Sequence, residues 1–393
     1  MGYTALILLA ILVILDFIAC RRILRSSAGK YSKSILSASI ILSDIIIFTT
    51  PIFMFLFTDG NNNGSMTKVI MSVITLFILF AVAKISLYIY WLPSKGKKLL
   101  YAGLMTTVAV SSFYLYSVFV TRTDYEVKEV DICFENLPDS FEGYRIVFIS
   151  DIHLGTMYDS GKELEKLVAV METIDADILM FGGDLVNMNY REITPEALHY
   201  LSKMRYKEPT IAVLGNHDTG VYMFDTINSP LDVNIGNIKE RIESAGWRLL
   251  MDSTVYLYKG NDSIAVTGID YNKTLLEYRH SFENASYSAV NDIYSSLDKD
   301  VFNITVSHLP QLWNELSGNG YSDLTLSGHI HSMQFKLNIF GYEFSPARFM
   351  YKEWSGLYEN GNGKLYINDG IGNVGFFARI GARPEVTVIN LCR

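Results

Sequence analysis

Five short clusters hold most of the histidines in this sequence. They are Asp151-x-His153, Gly183-Asp184, Gly215-Asn216-His217-Asp218, His308 and Gly328-His329-x-His331. Five of the seven histidines fall in them, which a scatter of core histidines would not do. The donors are carboxylates, imidazoles and one amide oxygen, without thiolate. That set suits Mn, Fe, Zn or Ni better than a structural zinc site, which normally takes cysteine. Two carboxylates (Asp151, Asp184), one amide (Asn216) and four imidazoles (His153, His308, His329, His331) exceed a single tetrahedral shell. They match two divalent metal ions sharing one bridging carboxylate. His199, on a helix, and His280, in a polar loop, lack such neighbours and are expected at the surface.

The clusters need a scaffold that brings them together. Each follows a short apolar run with strand character: Tyr144–Ile149, Ala176–Phe181, Thr210–Leu214, Val301–Ser307 and Leu324–Ser327. Asp151 and His153 are two residues apart, so in an extended segment they project to one side. Between the runs lie helical patterns at Lys162–Ile174, after Thr194-Pro195, and at Ile238–Ala245. Alternation of strand and helix predicts an α/β fold with a largely parallel sheet. Ligands in such sheets sit beyond the carboxyl ends of the strands, where all five clusters lie. Glycines before Asp184, Asn216 and His329 permit sharp turns and close backbone approach.

The ordered series of five motifs resembles the calcineurin-like metallophosphoesterases over roughly residues 140–393. The resemblance implies a four-layer αββα sandwich. It also implies that Asp151, His153 and His331 hold one metal, that Asn216, His308 and His329 hold the other, and that Asp184 bridges. The likeness is greater to membrane-associated members, such as those with UDP-2,3-diacylglucosamine pyrophosphohydrolase activity. Ser327–Gln334, Tyr366–Gly372 and Gly381–Glu385 carry it. Those relatives often have Arg-Gly where this chain has Asp369-Gly370, which leaves substrate choice open. The expected chemistry is hydrolysis of a phosphodiester or pyrophosphate bond by a hydroxide bridging the two metals. His217, directly after Asn216, is expected to serve as general acid or transition-state donor. Asp218 either orients the His217 imidazole or is a turn residue.

The two parts of the chain differ in composition. Residues 1–120 carry ten Lys/Arg and three Asp/Glu; the remainder carries 23 and 38. An acidic second part argues against a nucleic-acid groove. Four apolar runs, about Thr4–Cys20, Ile35–Phe57, Val69–Leu92 and Leu99–Val120, are expected to form a four-helix transmembrane anchor. The domain boundaries expected are 1–120 for the anchor, 121–140 for a linker and first strand, and 141–393 for the catalytic domain. Loops one (Arg21, Arg22, Arg25, Lys30, Lys33) and three (Lys95, Lys97, Lys98) are basic, so the positive-inside rule places the catalytic domain outside the cytoplasm. Tyr88, Tyr90, Trp91, Tyr114 and Tyr116 fit aromatic belts. Asp16, Asp44 and Lys84 lie at membrane depth and read as one structural Asp–Lys pair, with Asp16 near an interface. Cys20, Cys133 and Cys392 are far apart and imply no disulfide framework. The aromatic stretch Met333–Tyr358 reads more readily as core strands than as an apolar wall for lipid chains. A membrane anchor favours a lipid-linked phosphate-ester substrate, a glycolipid or phospholipid, over nucleotides or cell-wall phosphodiesters. A non-catalytic metal-binding sensor or scaffold, and a small transporter or channel with an accessory domain, are the rival classes.

Overall fold

The computed structural model describes all residues except 1, 26–32, 35, 36, 39, 46–48, 50–64, 94–96, 223–230, 279, 280, 282, 296, 299 and 362. It divides into two compact units, one of residues 1–58, 69–119 and 375–378, the other of residues 59–68, 120–374 and 379–393.

The first unit contains α1 (Gly2–Arg25), α2 (Ser65–Trp91) and α3 (Lys97–Phe119). Among the described residues, Thr67–Trp91 and Lys98–Thr123 are long and apolar enough to cross a membrane. They coincide with the third and fourth expected spans. The first expected span falls within α1, and much of the second lies outside the described residues. Lys84 Nζ sits 2.7 Å from Asp16 Oδ2 and 2.7 Å from Asp44 Oδ1. The expected single pair is therefore a triad, and Asp16 is buried in it. Tyr88 donates to Asp16 Oδ1 at 2.5 Å and so joins this network. Buried charges persist where they pair with one another.

The second unit contains two six-stranded sheets. The first has the order β1-β14-β2-β3-β4-β5, with β1 Glu126–Cys133, β2 Arg145–Ile149, β3 Ile178–Phe181, β4 Ile211–Ala212, β5 Arg248–Leu249 and β14 Glu385–Cys392. The second has the order β12-β13-β9-β8-β7-β6, with β6 Ser253–Lys259, β7 Asp262–Gly268, β8 Asn303–Val306, β9 Leu324–Ser327, β12 Gly356–Glu359 and β13 Lys364–Ile367. A separate hairpin pairs β10 (Leu337–Ile339) with β11 (Tyr342–Phe344). Both six-stranded sheets are mixed: the strands that end in the motif clusters run parallel, while β14 runs antiparallel to β2, β12 to β13 and β6 to β7.

Period-two alternation explains the packing. Ile146 and Phe148 of β2 share an apolar cluster with Ile304, Val306, Leu324 and Leu326 of the other sheet. Val147 and Ile149 point the other way, into a cluster with α4 (Ser160–Met171), α5 (Pro195–Leu201) and α6 (Leu231–Ser244). The helices supply the complementary stripe: α4 buries Leu164, Leu167, Val168 and Met171 at helical spacing. Thr194 caps α5 by accepting from Ala197 N at 3.1 Å, with Pro195 at the first helical position. Trp313 packs with Leu365 and Ile367 of β13 in a further cluster.

Two expectations are corrected. β1 runs parallel to β14 in register from Glu126↔Glu385 to Cys133↔Cys392, and a disulfide joins the last pair. The two cysteines lie 259 residues apart, so only sheet topology brings them together. The aromatic stretch Met333–Tyr358 is also not all core. Met333, Tyr351, Trp354 and Tyr358 pack against Trp313 and its neighbours, but Phe340, Tyr342 and Phe349 are exposed.

Candidate metal centre

The five clusters converge at the carboxyl ends of β2, β3, β4, β8 and β9. They do so through backbone that strand alternation does not describe. Asp151 (φ 56°), His153 (47°), Asp184 (58°), His329 (76°) and His331 (53°) all occupy the left-handed region. Non-glycine residues adopt it at a cost that the surrounding structure must over-determine, and such residues cluster at functional sites. Asp151 and His153 thus converge by successive left-handed turns rather than by extended i, i+2 geometry. The backbone amides fix those turns: Asp151 N donates to Gly183 O at 2.8 Å and His153 N to Asp184 O at 3.1 Å. The expected close approach at glycine is present. A Cβ on Gly215 would lie 2.2 Å from Asp184 Oδ1, and one on Gly328 would lie 2.2 Å from Asp151 Oδ2.

The seven ligand candidates form two overlapping sets. In one, His331 Nε2 lies 3.0 Å from Asp151 Oδ1 and 3.2 Å from His153 Nε2. In the other, Asn216 Oδ1 lies 3.0 Å from His308 Nε2 and 2.9 Å from His329 Nδ1. Asp184 Oδ2 stands between them, 3.7 Å from His153 Nε2 and 3.2 Å from His308 Nε2. Asp151-His153-His331 and Asp184-His308-His329 are each close enough to hold one ion, and so is His153-Asp184-His217.

Both carboxylates are almost fully buried. Burial alone would raise their pKa values. The surrounding imidazoles, His331 foremost for Asp151 and His308 for Asp184, outweigh it and hold both well below the usual carboxylate range. Burial pulls His308 down, but the adjacent Asp184 lifts it to about 9. Burial and the neighbouring His308 push His329 down to about 3. Among the described residues, the ion-pair partners of the two carboxylates are histidines alone, with no lysine or arginine. Two carboxylates among imidazole nitrogens are a donor set that fits divalent metal.

The surrounding groups orient these ligands. His308 Nδ1 faces Gly182 O at 2.8 Å, leaving Nε2 for the site. His217 N donates to Asp184 Oδ1 at 2.8 Å, and its Nδ1 faces Asn187 O at 2.6 Å. Tyr222 stacks on the His217 ring at 4.2 Å and accepts from Asn216 Nδ2 at 3.0 Å. Asp218 does not orient His217. Its carboxylate accepts from Val186 N at 3.0 Å and Gly215 N at 2.9 Å, so it ties the Asp184 and Asn216 loops together, and Asn187 supplies the acceptor for the imidazole. His199 is exposed as expected; His280 lies outside the described residues.

Three contributors had no spacing signal in the sequence. Glu192 is buried and accepts from Gly155 N, Asn187 N and Met188 N at 3.0, 2.5 and 2.9 Å, so it shapes the loop that presents Asn187 O. Ser150 donates to Asp151 Oδ2 at 2.5 Å. Arg379 is completely buried. Its guanidinium donates to Gly372 O at 2.9 Å, Asp369 O at 3.0 Å and Ala382 O at 3.2 Å, and reaches His331 Nδ1 at 3.3 Å. Guanidinium only donates, so a hydrogen bond here puts the ring's proton on Nε2, beside Asp151; with a metal on Nε2 the proton sits on Nδ1 and the contact is packing alone. Asp369, at the position where arginine was noted in relatives, is held by Ser332 Oγ at 2.5 Å and Lys336 Nζ at 3.1 Å.

Comparison with known proteins gives a consistent picture. The family profile described as calcineurin-like phosphoesterase matches residues 144–333. An uncharacterised metallophosphoesterase of Bacillus subtilis, YkuE, is 26% identical over 71% of this chain and 87% of its own length. A zebrafish (Danio rerio) protein named transmembrane protein with metallophosphoesterase domain is 27% identical over 68% of this chain and 57% of its own length. The UDP-2,3-diacylglucosamine pyrophosphatase LpxG of Chlamydia trachomatis is 37% identical over 25% of this chain and 30% of its own.

Proposed function

With residues 144–333 a calcineurin-like phosphoesterase domain, we propose that this metallophosphoesterase hydrolyses a phosphodiester or pyrophosphate bond in a lipid-linked substrate. The observation that carries the reading is the pair of ligand sets meeting at Asp184. Asp151, His153 and His331 would hold one divalent metal and Asn216, His308 and His329 the other, with Asp184 shared. Metals bound there would supply Lewis-acid neutralisation of phosphoryl oxygens and an activated water. His217 is the proton-transfer group. With Nδ1–H held by Asn187 O, its Nε2 is free to carry the proton that the leaving oxygen needs. An anionic substrate beside the ring favours the doubly protonated imidazole that this step requires.

Residues 1–120 serve as a four-helix anchor, 121–140 as a linker and first strand, β1, and 141–393 as the catalytic domain. Two observations support an extracytoplasmic site: the basic loops between apolar segments, and the Cys133–Cys392 disulfide, which persists in oxidising compartments. The anchor favours lipid-linked phosphates by holding the site where they are concentrated. The test uses the full chain with Mn²⁺ and an aryl phosphodiester, then lipid extracts. Turnover is expected, and Asp184→Ala is expected to abolish it. Full activity in that variant would remove the metal-site assignment.

A further inference from the structure

The hairpin β10–β11 begins six residues after His331 and carries its most hydrophobic surface outward. Ile339 is 50% exposed, Phe340 100%, Tyr342 82% and nearby Phe349 76%. Soluble surfaces scatter single apolar side chains; a contiguous aromatic group of this kind marks a binding face. The tip Asn338–Tyr342 has no charged residue. Behind it stand exposed Arg348, whose guanidinium lies 6.0 Å from the Phe349 ring, Lys352, paired with Glu353 at 3.4 Å, and exposed Glu343, paired with Lys336 at 3.3 Å. An apolar tip backed by charged side chains is the arrangement of segments that seat in the interfacial region of a bilayer, with the charges at headgroup level.

The hairpin is also built to hold its shape. Gly341 N donates to Asn338 Oδ1 at 2.9 Å across the turn, and Leu337↔Phe344 to Ile339↔Tyr342 pair in register. Ser345 Oγ donates to Ser332 O at 2.7 Å, next to His331. Phe344 meets Phe335 and Phe349 edge-on at 6.4 and 6.0 Å. A rigid exposed aromatic tip loses little conformational entropy on docking.

We infer that the tip of the β10–β11 hairpin, with Phe349, docks into the bilayer that the chain's own helices enter. This rests on the membrane reading above. The bilayer is favoured as occupant because the tether is short. Six residues, Val120–Tyr125, separate α3 from β1, and Arg122 in that passage is pinned to Glu163 at 2.7 Å. Extended, such a passage spans about 20 Å. The catalytic unit therefore cannot leave the membrane surface. Docking would seat the loop that carries His331 at the lipid headgroups.

The test places an environment-sensitive fluorophore on the full chain, in a Cys20→Ser background, at Phe340→Cys, Val108→Cys or Tyr258→Cys. The protein is reconstituted into vesicles of phosphatidylcholine and phosphatidylglycerol, with or without brominated acyl chains. Val108 lies in α3, and Tyr258 is an exposed residue of β6. The probes at 108 and 340 are expected to lose more than half their emission to bromolipid, and the probe at 258 to lose none. Quenching at 108 but not at 340 would overturn the hairpin proposal and leave the membrane reading intact. Quenching at neither would remove both. A concentration-dependent blue shift at 340 without bromolipid quenching would identify a second copy as the occupant and overturn the proposal.

Discussion

Replacing Arg379 by lysine should damage one metal set and spare the other. The side chain is wholly buried and donates to three backbone carbonyls while touching His331 Nδ1 at 3.3 Å. Lysine keeps the charge but offers one nitrogen in place of a planar fork, so it cannot satisfy Gly372 O, Asp369 O and Ala382 O together. A hydrogen bond to a charged group contributes about 1.5–3 kcal/mol. With a metal on Nε2 of His331 the proton is on Nδ1, so Arg379 acts by holding the Gly372, Asp369 and Ala382 carbonyls that pack beside the ring; loss of such a supporting group weakens a metal by about 10–100-fold. Carbonyls left bare would lower stability further, so melting of chelated protein must be recorded in parallel. The assay is Mn²⁺ titration against a chelating indicator, with metal content measured after gel filtration. Two sites are expected in the wild type. In Arg379→Lys, the site of Asp151, His153 and His331 should weaken, and that of Asn216, His308 and His329 should not. Two sites of unchanged affinity in a variant that folds normally would refute the orienting role.

Other outcomes follow from the same geometry. His217→Gln should retain both metals and lose about 10²–10⁴-fold in kcat, the range of a general acid or base, as read by metal analysis and aryl phosphodiester turnover. Gly215→Ala drives a Cβ to 2.2 Å from Asp184 Oδ1 and should lose metal, whereas Gly236→Ala, with nothing within 4 Å, should leave metal content unchanged. Glu192 gives a pH signature. Burial raises its carboxyl from 4.5 to about 7, so the folded state prefers the protonated form. That preference stabilises the fold fully below about pH 4.5 and is lost as pH rises through about 7. Between these limits the wild type should lose about 3 kcal/mol relative to Glu192→Gln, measured by urea unfolding of the chelated protein.

The site was legible where residue type and chain spacing carry the information. Asp151, His153, Asp184, Asn216, His308, His329 and His331 each follow a strand, and strand ends in an α/β sheet meet at one edge. What escaped depends on contacts between distant segments. Arg379 reaches His331 across 48 residues, and Glu192 reaches Gly155 across 37, with no periodicity to announce either. The left-handed backbone of Asp151 and His153 was likewise hidden, because it is imposed by Gly183 O and Asp184 O from a neighbouring loop. Adjacency left Asp218 open between orienting His217 and serving a turn, and its bonds to Val186 N and Gly215 N select the second. Phe340 misled because aromatic strands are usually buried; nothing local says which side of a hairpin lacks a cover.

The position of β14 sets an order of events during biosynthesis. It follows every other strand in the chain, yet it sits between β1 and β2 in the first sheet. Its partner β1 is made about 259 residues earlier. At roughly 5–20 residues per second, the ribosome needs about 10–50 s to cover that interval. Throughout it β1 has no neighbour, and β2 lacks one edge. The sheet that carries Asp151 and Asp184 therefore closes only after translation has passed β14, long after the helices of the first unit have emerged. An insertion machine or chaperone must accommodate an open sheet during that interval, and a truncation that removes β14 would leave two unpaired strand edges exposed rather than one shortened domain.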